Sequence, residues 1–375
     1  MRVIFAGGGT AGHVNPAIAA ADYISRQEAS EIRLSGGRGN IEERLAEKAG
    51  YPIDAFPLEG LSREKNLRGL RRNLRAVREA LAAVSSCKKV LRAQKPEIVV
   101  GTGGYASFPM VWAAVRSGVP AAMLEVNATP GVATRLLAGK VDCVMISYAE
   151  TEKLVPKAKK VVLTGSPVRE EILRCREQSW EPLFQNELPT LCCFWGSVGA
   201  LYMNRKMEDF LVMAAQRRQF NVLCVAGSKH YEAMRRETEA KGLDFGKADN
   251  VALREYIYDM DHVMGVCDLF LTRAGGTLAE LCAAGRPAVL VPSPFAAENH
   301  QEKNARILEK AGAAVVVTEQ EATPALLYDT VLELLQDPQR LARMGECARS
   351  KAQPQALGNI YRALREVLKS RHGGE

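Results

Sequence analysis

The sequence predicts an α/β protein of two domains, each built on a parallel sheet. Three observations carry that prediction. The chain has 375 residues, enough for two domains of ordinary size. Short apolar runs recur at 2–6, 97–100, 121–124, 191–195 and 269–271, and each breaks into a polar or glycine-rich loop. The stretch 272–305 sets two strand-loop-helix turns back to back, the pattern of a parallel sheet with crossover helices.

That stretch reads as follows. The run 269–271 is a buried strand that breaks at Ala274-Gly275-Gly276. Thr277 caps a helix whose apolar residues Leu278, Leu281 and Cys282 recur at helical spacing. Gly285 ends the helix and Pro287 cannot continue it. A second strand, 288–291, leads to a loop with Glu298, Asn299, His300 and Gln301, which opens another helix. Both loops lie at the carboxyl edge of the sheet, where open α/β sheets bind ligands. Gly275 and Gly276 bare backbone N–H groups at a helix start, which suits a diphosphate. Glu280, one turn on, can accept two hydroxyls of a ribose, and Gln301 can reach the same sugar or its neighbour.

Composition narrows the class. With 47% hydrophobic and 25% charged residues, the chain reads as a folded soluble protein. Nine scattered cysteines, with no C-x-x-C pair, read as core residues in a reducing cytosol, not as a zinc site or disulfide framework. The N-terminus lacks a signal-peptide apolar region, and no uncharged apolar run is long enough to span a bilayer. The formal charge is +7, yet ten Lys/Arg against two Glu fall within 63–92. The rest is near neutral, which argues against a broad nucleic-acid surface and for one local anionic partner.

Taken in order, the strand 2–6 runs into Gly7-Gly8-Gly9-Thr10-Ala11-Gly12-His13, and Asn15 with Pro16 reads as the cap and first turn of a helix. Gly7, Gly9 and Gly12 satisfy G-x-G-x-x-G. A dinucleotide site also wants an acid at the end of the next strand, where this chain has Ser35-Gly36-Gly37-Arg38. An NADP variant using Arg38 therefore stays open. Within 63–92, Leu67, Leu70, Leu74, Val77, Leu81 and Val84 recur at three- and four-residue steps, giving one apolar and one strongly basic face. Such a helix either packs on the sheet with a solvated outer face or meets an anionic bilayer surface. The strand 97–100 ends in Gly101-Thr102-Gly103-Gly104-Tyr105-Ala106-Ser107, and 121–124 is followed by Glu125-Val126-Asn127. The strand 161–164 leads into Gly165-Ser166-Pro167-Val168-Arg169, a plausible hinge. The strand 191–195 precedes Gly196-Ser197-Val198-Gly199, and the tail from Thr323 is helical in pattern.

Jointly, these motifs resemble the MurG family of bacterial glycosyltransferases, which add N-acetylglucosamine to a lipid-linked muramoyl-pentapeptide in peptidoglycan synthesis. The resemblance implies the GT-B fold, two Rossmann-like domains facing across a cleft. It places an acceptor and membrane-side domain over 1–165, a UDP-sugar domain over 166–350, and a last helix, 351–375, returning to the first domain. It implies His13, Glu125 and Tyr105 as catalytic residues, with His13 suited by its ordinary pKa to take a proton near neutral pH. A His that only satisfies backbone carbonyls at the turn is the bland alternative. Substrate contacts are implied for Thr10, Ala11, Gly12, Asn127, Arg169, Ser197, Gly276, Thr277, Leu278, Glu280 and Gln301. Ile257 would offer its backbone N–H and C=O to a uracil edge. Arg169 would meet a phosphate, or form an interdomain salt bridge.

Departures from the family pattern are Ala11, Leu124, Val126, Ser166, Trp195 and Val198. The turn at Gly275-Gly276 is one residue short, a deletion the second glycine can absorb at positive φ. The implied partners are UDP-N-acetylglucosamine, an undecaprenyl-diphosphate-linked muramoyl-pentapeptide, and the cytoplasmic face of the membrane through 63–92. Neither a metal, a cofactor nor nucleic acid is expected. Three alternatives stay open: a UDP-N-acetylglucosamine 2-epimerase or another transferase on this fold, a dinucleotide oxidoreductase, and an inactive membrane-associated scaffold.

Overall fold

The structure, a computed structural model, describes residues 1–60, 66–196, 199–296 and 299–372. The chain divides into two compact units, one of Met1–Val168 with Gln353–Glu375, the other Arg169–Ala352.

The N-terminal unit alternates strand and helix: β1 (Arg2–Gly7), α1 (Ala11–Gln27), β2 (Glu31–Gly37), α2 (Ile41–Lys48), β3 (Ile53–Phe56), α3 (Leu67–Gln94), β4 (Ile98–Gly103), α4 (Ser107–Arg116), β5 (Ala121–Glu125), α5 (Val132–Leu137), β6 (Cys143–Ile146) and β7 (Val161–Leu163). Every strand pair is parallel, and the order is β3-β2-β1-β4-β5-β6-β7. Chain direction across the sheet reverses between β1 and β4, so the loops after these two strands form the switch point where such sheets take ligands.

The second unit follows the same plan: α6 (Glu170–Arg174), β8 (Thr190–Phe194), α7 (Leu201–Arg217), β9 (Asn221–Val225), α8 (Tyr231–Ala240), β10 (Val251–Arg254), α9 (Met260–Val266), β11 (Leu269–Thr272), α10 (Thr277–Ala284), β12 (Ala288–Leu290), α11 (His300–Lys310), β13 (Ala314–Val316), α12 (Pro324–Leu335) and α13 (Pro338–Ser350). Its sheet runs β10-β9-β8-β11-β12-β13, all parallel, with the switch point between β8 and β11. The last helix, α14 (Ala356–His372), belongs to the first unit. Its Leu357, Ile360, Ala363, Leu364, Val367 and Leu368 join the core with Val14, Ile18 and Ile24 of α1. Gln353 ties its approach by accepting from the Ser166 N–H at 3.0 Å and donating to the Ser147 carbonyl at 2.9 Å.

Several local readings change. Helix α1 begins at Ala11 with Thr10 as N-cap, not at Asn15, and Pro16 lies inside it. The proline removes one N–H, yet Val14, Ala17, Ile18 and Ala21 bury enough apolar surface against β1 and α14 to extend the helix through it. Gly101, Thr102 and Gly103 belong to β4, leaving a loop of three residues before α4. Thr277 is the first helical residue of α10 and Gly276 its N-cap. Gly276 sits at φ −59°, and Gly275 is not among the positive-φ glycines, so the short turn closes in right-handed space.

The exposure of α3 bears on the two alternatives open for it. The residues that pack it against α4 are small or set back: Ala76, Ala83, Cys87 and Leu91 are buried. Close helix approach favours such residues over leucines. Leu70, Leu74, Val77 and Leu81, the apolar face open to either packing on the sheet or meeting a bilayer, are 51–64% exposed. Arg68, Arg71, Arg72, Arg75 and Arg78 flank that open stripe and are exposed too. Arg63 and Lys65, at the start of the basic segment, lie outside the described residues, as do Ser197, Val198 and Glu298.

Candidate functional site

In the N-terminal unit the loops after β1, β2 and β4 meet. The Gly8 N–H donates to the Gly103 carbonyl at 3.4 Å, bridging the two strands of the switch point. Gly104, at φ +72°, comes so close that a Cβ there would stand 2.0 Å from the Gly8 carbonyl oxygen. His13, on the first turn of α1, is partly buried and lies against Gly103 and Gly104. Its Nδ1 is 3.1 Å from the Thr102 carbonyl. A carbonyl only accepts, so Nδ1 carries a proton, and whenever the ring is neutral its lone pair is on Nε2. The backbone contact of the bland reading is thus present, and it fixes the tautomer a base needs.

Tyr105 lies over the loop after β1. Its ring covers Gly9 and Gly60, where added Cβ atoms would stand 2.9 Å and 3.1 Å from it. Its hydroxyl accepts from Asn40 Nδ2 at 3.3 Å. Burial, then the nearby charges of Glu42 and Glu59, push the phenol pKa up, so it stays protonated at neutral pH. Thr10 is exposed, Ala11 is buried and Gly12 is partly buried, all at the start of α1.

Glu125, read as catalytic, has a different occupation. It is 2% exposed and both oxygens are engaged. Oε1 accepts from the Asn127 N–H at 3.0 Å and from Asn127 Nδ2 at 3.1 Å. Oε2 accepts from the Gly131 N–H at 2.9 Å and the Thr134 hydroxyl at 2.7 Å. Four donors saturate this carboxylate, which leaves it poorly placed to take a proton from a substrate. It orders the loop that presents Asn127.

In the second unit, α10 starts right after β11. Gly275 has open space beside it, and the Leu278 N–H returns to the Gly275 carbonyl at 3.2 Å. Thr277 is partly buried and Leu278 packs into the core at 2% exposure. Glu280 lies on the first turn, its side chain 14% exposed. Arg169 Nη2 donates to its Oε1 at 3.2 Å, so two expected donor contacts are paired with each other. Burial raises the Glu280 pKa, and Arg169 works against that rise. The Arg169 Nε is buried and has no partner among the described residues. Gln301 opens α11 and accepts from the Ser293 N–H at 2.8 Å, which spends its amide oxygen on its own loop. Ile257 is 6% exposed in the turn between β10 and α9, flanked by Tyr256 and Tyr258, whose rings lie 4.9 Å apart.

Three residues that sequence reading passed over support these loops. Arg273, 9% exposed, pairs with Glu319, donates to the Val291 carbonyl at 2.9 Å and lies over the Trp195 ring. Burial lowers its pKa, and Glu319 opposes that. Asn304, buried on α11, donates to the Ala274 carbonyl at 3.3 Å. Glu42 reaches beneath the first glycine loop from α2. The signal for Glu42 was visible as an acid just past Gly37, but an acid in the first turn of a capped helix looks ordinary.

Comparison with known proteins agrees with the architecture. Residues 3–146 match the glycosyltransferase family 28 N-terminal domain and residues 190–359 its C-terminal domain. A UDP-N-acetylglucosamine–N-acetylmuramyl-(pentapeptide) pyrophosphoryl-undecaprenol N-acetylglucosamine transferase of Acetivibrio thermocellus is 35% identical over 378 aligned positions, covering 100% of each chain. The protein of that name from Desulfitobacterium hafniense is 39% identical, with 96% of this chain and 97% of its own covered. Among solved structures, Acinetobacter baumannii MurG superposes with a TM-score of 0.69 at 26% identity, covering 97% and 99%. A Neisseria meningitidis UDP-GlcNAc 2-epimerase reaches 0.67 at 15% identity, covering 98% and 100%, which speaks to fold alone. Relatedness at this level along the entire length means that the chain belongs to the MurG family of glycosyltransferases.

Proposed function

We propose that this enzyme transfers N-acetylglucosamine, with inversion, from UDP-N-acetylglucosamine to the 4-hydroxyl of the muramoyl sugar of an undecaprenyl-diphosphate-linked pentapeptide. The observation that carries the reading is full-length identity of 33–39% to transferases of that name. The donor belongs to the second unit. Helix-start amides at Gly276 and Thr277 take the diphosphate. Glu280 takes the ribose hydroxyls, the Ile257 backbone takes the uracil edge, and Gln301 takes the transferred sugar. Arg169 exchanges Glu280 for a phosphate oxygen as UDP departs, adding positive charge where negative charge develops.

The acceptor belongs to the first unit. His13 Nε2 removes the hydroxyl proton, while Asn127, Tyr105 and the backbone from Thr10 to Gly12 orient the sugar. Glu125 acts by holding Asn127. The exposed Leu70, Leu74, Val77 and Leu81 with the arginines around them dock on an anionic bilayer, which brings the enzyme to a lipid acceptor. The dinucleotide reading loses support, because Glu42 occupies the loop amides that a nucleotide diphosphate would need.

The test is transfer of radiolabelled N-acetylglucosamine from its UDP ester to a solubilised lipid-linked muramoyl-pentapeptide. A labelled disaccharide lipid is the expected product. Conversion of UDP-N-acetylglucosamine to its 2-epimer, with no transfer, would replace this reading by the epimerase one.

A further inference from the structure

Glu42 is 1% exposed, on the first turn of α2. Its Oε1 accepts from the Gly9 N–H and the Gly37 N–H, each at 3.1 Å. Its Oε2 is buried with no partner among the described residues. The backbone around it is shaped to admit it. A Cβ on Gly8 would stand 2.0 Å from Oε1, and one on Gly36 2.4 Å from Cγ. A buried carboxylate with half of its acceptor capacity idle is a costly way to fill space that an apolar side chain could fill. What the charge achieves is a clamp between the loops after β1 and β2. From Gly9 the chain runs through Thr10 into the turn that carries His13, whose N–H closes on the Thr10 carbonyl at 3.1 Å.

We propose that Glu42 is a positioning residue for the acceptor reaction: its carboxylate fixes the first glycine loop, sets the His13 ring on Gly103 and Gly104, and closes the Gly9 and Gly37 amides to any nucleotide diphosphate. The proposal rests on the reading of His13 as the proton acceptor. It separates cleanly from the donor site, which lies in the other unit.

The test compares Glu42→Ala, Glu42→Gln and His13→Gln in the full-length enzyme, with kcat and KM for the lipid acceptor, UDP affinity by calorimetry, and the pH–rate profile. Displacing a catalytic group by about 1 Å costs on the order of 100-fold in rate. Glu42→Ala is therefore expected to lose roughly that factor in kcat. Its UDP affinity should stay unchanged and the acidic limb of its pH profile should shift. Glu42→Gln keeps one oxygen for both amides and is expected to recover most of the loss. If Glu42→Ala does not fold, Glu42→Asp, whose shorter side chain cannot reach both amides, takes its place with the same expected loss in kcat, unchanged UDP affinity and shifted acidic limb. Wild-type kcat in Glu42→Ala, or a loss that only tracks the folded fraction with an unmoved pH profile, would overturn the role. An inactive wild type would sink the functional reading instead, and wild-type turnover in His13→Gln would remove the base on which Glu42 is said to act.

Discussion

Replacing Glu125 with alanine separates a structural carboxylate from a chemical one. The side chain accepts four hydrogen bonds, two of them from the backbone N–H groups of Asn127 and Gly131. Those two cannot rotate to find other partners, and the residue they surround is 2% exposed. An orphaned buried donor costs about 1–3 kcal/mol, so the two together set a loss near ~4 kcal/mol. With a urea slope of ~3 kcal/mol/M, the midpoint of the N-terminal unit should fall by more than ~1 M. Hydrogen exchange should show the amides of 127–134 losing protection in the same variant. UDP affinity, which we assign to the other unit, should hold. A variant with its midpoint within ~0.3 M of wild type and no turnover would refute the reasoning. The carboxylate would then be reacting, not holding Asn127.

Other predictions follow from the site geometry. His13→Gln should lower turnover by roughly 10²–10⁴-fold while leaving UDP affinity unchanged, measured by steady-state kinetics and calorimetry. Glu280→Gln should weaken UDP binding by about tenfold or more, since the ribose loses a charged acceptor. Wild-type UDP affinity should fall as pH drops through the raised Glu280 pKa, earlier than an ordinary carboxyl of 4.5 would dictate, and Glu280→Gln should flatten that dependence. The sign for stability is opposite: between 4.5 and the raised value the native state keeps a proton the unfolded chain has lost, so Glu280 makes the free enzyme less stable as pH rises across that window. Leu74→Ser with Leu81→Ser should reduce sedimentation with anionic vesicles and leave transfer to a detergent-solubilised acceptor intact; equal sedimentation would remove α3 from the docking surface.

Much of the fold was legible because the physics is local. Runs such as 269–271 are apolar enough to be strands buried on both faces, and Gly285 marks a helix end through its need for φ +59°. What misled were signals that compete at one position. Asn15-Pro16 is a good helix start in isolation, yet the apolar face of α1 continues N-terminally to Ala11 and tertiary packing overrides the cap. On α3 the regularly spaced leucines fitted a core stripe and a membrane-facing stripe equally well. Periodicity shows that residues share a face but not which face turns inward, and α4 selected the small residues.

The site was legible as a set of loops and less so as a set of roles. The glycine turns after β1 and β4 come together, with His13 between them. Yet Glu125 and Gln301, chosen as polar side chains near a ligand, hydrogen-bond their own loops. Arg169 and Glu280, chosen separately, form a pair. Sequence spacing cannot reveal how a carboxylate's lone pairs are distributed. Glu42 was missed for the same reason: its backbone belongs to an unremarkable helix start, and only the folded chain brings its oxygen to Gly9 and Gly37.

Calorimetric titration of the full-length enzyme with UDP-N-acetylglucosamine, UDP-glucose, UDP-N-acetylgalactosamine and NADPH tests most directly whether the carboxyl edge of the second sheet is a uridine-diphosphate sugar site. Tightest binding of UDP-N-acetylglucosamine, no heat from NADPH, and loss of the signal in Glu280→Gln is the predicted result. Silence towards all three UDP-sugars at millimolar concentration, or a response to NADPH alone, would contradict it.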